Sequence, residues 1–278
     1  NVDRHGGTTM YDVVALGELL IDFTPAGLSP NGGKMFEQNP GGAPANVVTC
    51  LAKLGHKTGF IGKVGDDQFG RDLREVLKAH HVSTEGLILD PNANTTLAFV
   101  HLSEDGDRSF SFYRSPGADT MLRLDEVKPE LFKTHIFHYG SLSLTHEPSR
   151  STTLAVLRQM HERGVLLSYD PNLRPPLWDS LENAKHWLLE GMDYADVVKL
   201  SVEELEFLLG TANLDQGSLE LMKSYGLTAV FVTLGADGCY YRVGEKTGRV
   251  AAFPVKVVDT TGAGDAFVGG MLHRILES

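Results

Sequence analysis

Basic charge is what this sequence has least of. Twenty-five lysines and arginines face 36 aspartates and glutamates, a formal net charge of −11. That balance argues against nucleic acid or an anionic membrane as the main partner. Cysteine is nearly absent: Cys50 and Cys239 stand alone, without framework spacing, and suggest a reducing cytoplasm. No apolar run reaches the roughly 20 residues that cross a bilayer, and no signal peptide is visible. There is no Gly-x-x-x-x-Gly-Lys-Ser/Thr, and no Gly-x-Gly-x-x-Gly after the first strand, so neither a P-loop nor a dinucleotide site is indicated. One demand follows from the charge. An acidic protein that binds a polyphosphate must gather its few cations locally or borrow Mg²⁺.

What is present suits one large α/β domain, or one with a small appendage: 278 residues, 42% of them hydrophobic. The first nine residues, ahead of Met10, read as an expression remnant and are left out of fold reasoning. From Tyr11 onward short apolar runs alternate with helical stretches. Strands are expected at 11–16, 58–61, 87–89, 135–139, 165–169, 197–200 and 229–234, and helices at 43–54, 68–79, 148–163, 181–189, 202–209, 219–225 and 266–276. A turn is expected at Asn39-Pro40-Gly41-Gly42, and a hairpin around 244–248 with arms 238–243 and 249–257. Continuous apolar strands alternating with helices predict a parallel sheet covered on both faces. Ligands of such a sheet bind at the C-terminal ends of its strands. Gly17, Gly140, Asp170, Leu200, Gly235 and Asp259 fall at such ends. Polar hairpin-like pieces near 21–40 and 91–118 break the alternation and predict a small β-lid over the strand ends. His135 and His138, an i, i+3 pair in a strand, point to opposite faces and read as surface and core residues, not metal ligands.

The densest chemistry lies near the C-terminal end, in Asp259-Thr260-Thr261-Gly262-Ala263-Gly264-Asp265. Val255 to Val258 reads as the end of a strand, so 262–265 falls at the entry to a helix. First-turn amides lack intrahelical partners, and the helix dipole adds positive charge, which suits phosphate. Gly262 and Gly264 let an anion approach the backbone. A carboxylate here repels phosphate, so Asp265 makes sense as the base that takes a proton from the attacking group. Capping accounts for these seven residues equally well.

Two stretches resolve that ambiguity. Gly41-Gly42-Ala43-Pro44-Ala45-Asn46 and Asp259 to Asp265 together resemble the paired signatures of the ribokinase / phosphofructokinase-B family of sugar kinases, nearest to its fructokinase members. Leu16-Gly17-Glu18-Leu19-Leu20-Ile21-Asp22-Phe23 and Ser168-Tyr169-Asp170-Pro171-Asn172-Leu173-Arg174 extend the likeness, which runs from about Tyr11 to Leu276. The resemblance implies a ribokinase-like three-layer α/β/α fold over 10–278, with a mostly parallel central sheet and a small β-lid. It implies transfer from ATP to a primary hydroxyl, C6 of fructose, with Asp265 as base and the Gly262, Ala263 and Gly264 amides as anion hole. A 2-keto-3-deoxygluconate kinase is the nearest other reading. A non-catalytic sugar- or nucleotide-binding protein on this fold is less favoured, because binding alone needs no base.

The same resemblance assigns further residues. Asp22, Gly41, Gly42, Asn46, Arg114, Asp170 and Arg174 go to the sugar and its transferred phosphate. Lys199, Thr233, Gly235, Gly238 and Asn172 go to the nucleotide. Residue chemistry supports several of these: a carboxylate such as Asp22 accepts two hydroxyl donors at once, and a mid-helix Asn46 is unfavourable without a partner. Lys199, in an apolar strand, needs a counter-charge. Glu204 resembles a glutamate linked to Mg²⁺, through water, although Ser201 stands where the family has Asn. Ser201-x-x-Glu204 is also a capping box. Mg²⁺ with ATP is the implied cofactor set, with K⁺ near the Asp259 turn. A homodimer through the lid is the implied assembly. More residues follow the last helix in the family, where they wall the adenine pocket, so that wall is expected beyond Ser278.

Overall fold

The computed structural model describes residues 11–102, 108–257 and 260–278. Its main sheet has nine strands in the order β13-β12-β11-β10-β9-β8-β1-β4-β5. These are β1 (Tyr11–Leu16), β4 (Thr58–Gly65), β5 (Val82–Asp90), β8 (Thr134–Gly140), β9 (Leu166–Asp170), β10 (Val197–Ser201), β11 (Ala229–Thr233), β12 (Cys239–Val243) and β13 (Lys246–Val250). Pairings from β5 across to β11 are parallel, and the β11–β12–β13 edge is antiparallel. Seven helices are described: α1 (Ala43–Lys53), α2 (Gln68–Ala79), α3 (Ser149–Glu162), α4 (Leu181–Met192), α5 (Val202–Leu209), α6 (Leu214–Tyr225) and α7 (Ala263–Leu276).

Side-chain alternation makes the three layers. On β1, Val13 and Ala15 face a core shared with Val48 and Leu51 of α1, Leu73 and Leu77 of α2, and Val268 and Leu272 of α7. Val14 and Leu16 face the opposite core, shared with α3, α4, α5 and α6 through residues such as Val156, Leu188, Leu205 and Leu221. Both faces of the central strands are thus dry, which explains their unbroken apolar character. His138 is buried and His135 exposed, on opposite faces as the strand period requires.

The lid is a separate four-stranded sheet, β3-β2-β6-β7, formed by β2 (Leu20–Leu28), β3 (Lys34–Gly41), β6 (Leu97–Leu102) and β7 (Arg108–Tyr113). Phe99 ties it together, stacked on Phe23 at 4.7 Å and edge-on to Phe36 and Tyr113. The link between β6 and β7 at 103–107 lies outside the described residues.

Two local expectations are corrected. Asn39, Pro40 and Gly41 are not a turn but the end of β3, in register with Asp22, Ile21 and Leu20. Pro40 is tolerated because β3 is an edge strand, where a missing N–H costs no ladder bond. The second arm of the C-terminal hairpin is 246–250, not 249–257, because the chain reverses within two residues at Gly244 (φ 56°). Residues 251–257 are outside any strand, with Phe253, Val255 and Val257 exposed, and Pro254 has no N–H to offer a sheet. The expected strand end at 255–258 is therefore absent over 255–257; Val258 and Asp259 lie outside the described residues.

Candidate active site

A cavity of about 660 Å³ opens between the strand ends and the lid. Glu18, Leu20 and Asp22 enter it from the β1–β2 segment, Gly42, Ala43 and Asn46 from the start of α1, and Thr260 to Gly262, Gly264 and Asp265 from the start of α7. Asn172 and Arg174 enter after β9, and Val100, Phe110 and Phe112 come from the lid. Sequence segments more than 200 residues apart are joined here by helix packing. Gly269 of α7 lies so close to α1 that a Cβ there would sit 2.6 Å from Cys50 Sγ. That approach sets Asn46 beside Asp265, and Asn46 Nδ2 donates to Asp265 Oδ2 at 2.8 Å. The half-buried amide of a mid-helix asparagine is thereby satisfied.

Asp265 occupies the first turn of α7, behind Gly262 in the left-handed conformation (φ 74°). Burial pushes its carboxyl above the ordinary range, while the Asn46 hydrogen bond, Lys199 and Arg174 pull it back down. Asp22 is raised to about 6 by burial, with Arg174 opposing and Asp265 adding to the rise. Glu18 is raised to about 7, again chiefly by burial. Burial thus raises all three carboxyls of the cavity, a pattern that marks acid–base sites.

The two glycines before α1 are needed for close approach. A Cβ on Gly41 would collide with the Asp22 carboxylate, and one on Gly42 (φ 112°) with the Glu18 carbonyl. In the anion hole the expectation is modified. The Ala263 amide donates to the Thr260 carbonyl at 3.1 Å, because the left-handed Gly262 closes a turn there. Gly262 and Gly264 line the cavity, and their amides make no such backbone bond among the described residues.

Lys199 stands behind Gly264: a Cβ at that glycine would lie 3.0 Å from Nζ. Its ammonium pairs with Asp170 at 3.1 and 3.3 Å in a buried contact. Burial works against the charge, but Asp170, Glu204 and Asp265 outweigh it and hold Lys199 protonated above its usual value. Asp170 is therefore brought to the lysine rather than to the cavity wall. Arg174 is exposed and faces Asp22 and Asp265 electrostatically.

Other expected residues stand elsewhere. Arg114 does not line the cavity. It is buried, paired with Asp119 at 2.7 Å, and donates to Thr145 Oγ1 and the Leu142 carbonyl. With its donors committed, it fastens the end of β7 to the core. Thr233 ends β11 and Gly235 and Gly238 follow it, all three outside the cavity lining; Gly238 (φ 94°) lets the Val250 carbonyl pass close. Glu204 has both oxygens engaged: Oε2 accepts Ser201 N at 2.8 Å and Oε1 accepts Leu173 N at 2.7 Å, while Ser201 Oγ accepts Glu204 N. The capping box is fully formed. Among the described residues no group of three or more His, Cys, Asp or Glu is placed to hold a metal.

Glu18 was not legible as a site residue, nor were Thr260, Thr261 and the lid aromatics Phe110 and Phe112. The signal for Glu18 was present: a glutamate between the apolar runs Val13–Leu16 and Leu19–Ile21 has to be buried for a reason.

Residues 10–278 match the model of the pfkB family carbohydrate kinases. The chain is 46% identical over 268 residues to probable fructokinase-2 of Arabidopsis thaliana, covering 95% of this chain and 82% of that one. It is 46% identical over 276 residues to fructokinase-2 of Solanum lycopersicum, covering 98% and 84%. The crystal structure of a fructokinase from Xylella fastidiosa with bound ATP superposes with a TM-score of 0.88 at 38% identity, over 96% of this chain and 82% of that one. A Vibrio cholerae O395 fructokinase double mutant in fructose-, ADP- and potassium-bound form gives 0.86 at 37% identity, over 97% and 85%.

Proposed function

The chain belongs to the pfkB family of carbohydrate kinases, and we propose that it is a fructokinase, converting D-fructose and ATP to D-fructose 6-phosphate and ADP. One observation carries the chemistry: a buried carboxylate, Asp265, fixed by Asn46 in the first turn of a helix whose N-terminal residues line a cavity. Asp22 holds sugar hydroxyls. Asp265 accepts the proton of the C6 hydroxyl as its oxygen bonds the γ-phosphorus, and the bond to the β-phosphate oxygen breaks to release ADP. The Gly262 and Gly264 amides meet charge on the transferred group, where preorganised donors are worth most. Arg174 and the protonated Lys199 supply the local cations an acidic chain needs. The lid closes over the sugar and keeps out water that would otherwise take the phosphoryl group.

Mg²⁺, when bound, neutralises phosphate charge. The ion would be held mainly by phosphate oxygens and water, and Glu204, whose two oxygens accept the Leu173 and Ser201 amides, would reach it only through water. The K⁺ expectation concerns the Asp259 turn, outside the described residues. No helix described is long and apolar enough to cross a membrane; we assign the protein to the cytoplasm on its two unpaired cysteines. We also assign a homodimer to the lid, where Leu28, Met35, Phe36 and Tyr113 are exposed. Sedimentation at micromolar concentration should give a dimer, and Leu28→Lys with Tyr113→Lys a monomer; a native monomer would refute that assembly.

The test of substrate is ADP release with Mg-ATP against fructose, ribose, glucose and 2-keto-3-deoxygluconate. Activity confined to fructose is expected. Preference for the acidic sugar would move the substrate while keeping the mechanism. Sugar binding without turnover would point to a binding protein.

A further inference from the structure

Glu18 is the carboxyl of the cavity that the phosphoryl transfer leaves unused. It is 3% exposed, yet it lines the cavity together with Leu20, Asp22, Ala43 and Asn46. Its Oε1 accepts the Ala43 amide at 2.8 Å, at the first residue of α1, so the group is fixed in place. Its Oε2 is buried and has no hydrogen-bond partner among the described residues. Buried polar atoms are nearly always paired, so an orphan in a ligand cavity marks a place for a ligand group. Among the described residues no ion pair to it is formed. Arg114, close enough to lower its pKa, gives its guanidinium to Asp119, Thr145 and Leu142.

We propose that Glu18 is a specificity-determining residue whose Oε2 pairs with a hydroxyl of a neutral sugar, a second anchor beside Asp22. The inference rests on the reading of fructose as substrate. Three carboxyls, Glu18, Asp22 and Asp265, share the cavity, and Arg174 is the one cationic side chain among its described lining residues. A sugar bringing its own carboxylate there meets like charges, whereas a hydroxyl brings the donor that Oε2 lacks. A site built to bond a hydroxyl rejects an analogue without it, because the buried oxygen is left unpaired again. Burial and the nearby Asp119 raise the Glu18 carboxyl, to about 7, as expected of a group whose partner arrives with the substrate.

Steady-state kinetics of Glu18→Gln test this. Glutamine keeps an oxygen for the Ala43 amide but puts an NH₂ where Oε2 was, which cannot accept. The fructose KM should rise about tenfold or more, with the ATP KM within about twofold of native. In a panel of fructoses each lacking one non-accepting hydroxyl, one should lose about tenfold in kcat/KM with the native protein and about twofold or less with Glu18→Gln. If melting curves show that Glu18→Gln does not fold, Glu18→Asp replaces it. That change withdraws the carboxyl by one methylene and should give the same selective rise. An unchanged fructose KM in a folded variant would overturn the proposal. So would a parallel rise in the ATP KM, or a native panel in which no non-accepting hydroxyl matters. A native protein inactive on fructose but active on another sugar would instead reject the substrate reading.

Discussion

As the proposed base, Asp265 must be ionised to act, yet its surroundings raise its carboxyl above the ordinary range. Burial raises it, and the pull of Asn46, Lys199 and Arg174 does not fully restore it. The sign is therefore fixed: lowering the pH protonates the base while an ordinary aspartate, with a pKa of about 4, would still be charged. Asp22, at about 6, reinforces this in the free protein. The pH profile of kcat/KM should show an acid limb above the ordinary carboxylate range; a flat profile down to pH 4.5 would contradict it. A second prediction at this scale concerns Gly41. Alanine there presses on the Asp22 carboxylate and on Leu20. Gly41→Ala should raise the fructose KM by about tenfold, roughly 1.4 kcal/mol, and leave the ATP KM unchanged. An unaltered fructose KM would separate Asp22 from the sugar. Asn46 and Asp22 were legible in sequence because each is a polar residue in a place that disfavours one. Arg114 was not, because its partner Asp119 is five residues away and nothing local tells a committed guanidinium from a waiting one.

Among the elements, α1 and α7 build the site and α5 supports it. Gly269 against Cys50 brings α1 to α7, and the Asn46–Asp265 bond is the result. The capping box of α5 joins a second segment, since Glu204 also receives the Leu173 amide ahead of Arg174. Ser201→Ala removes the acceptor for Glu204 N and should cost about 1 kcal/mol, lowering the melting temperature by about 2–4 °C with little change in turnover. A large loss of activity at unchanged stability would instead give Ser201 a direct role at the phosphates. Most strands and helices were legible from period and caps; α2 and α5 match their expected bounds. The misreadings have physical causes. Pro40 suggests a turn, but an edge strand accepts it. Val255 to Val257 has strand-like residues, but Pro254 and the missing ladder leave them exposed.

For the molecule as a whole, the sheet supplies a rigid floor and the lid a cover, with chemistry only where the two meet. Alternating apolar runs announced the sheet, and the break in alternation announced the lid. Which residues line the cavity depends on how the lid is fastened, and that fastening, Arg114 to Thr145 and the Leu142 carbonyl, is tertiary. The account centres on Asp265 as a base rather than a cap. ADP release with Mg-ATP and fructose should be measured for native protein and Asp265→Asn, with fructose binding followed by calorimetry. Turnover should fall roughly 10²–10⁴-fold while fructose affinity stays within a few-fold of native. Native-like turnover in Asp265→Asn would contradict the mechanism.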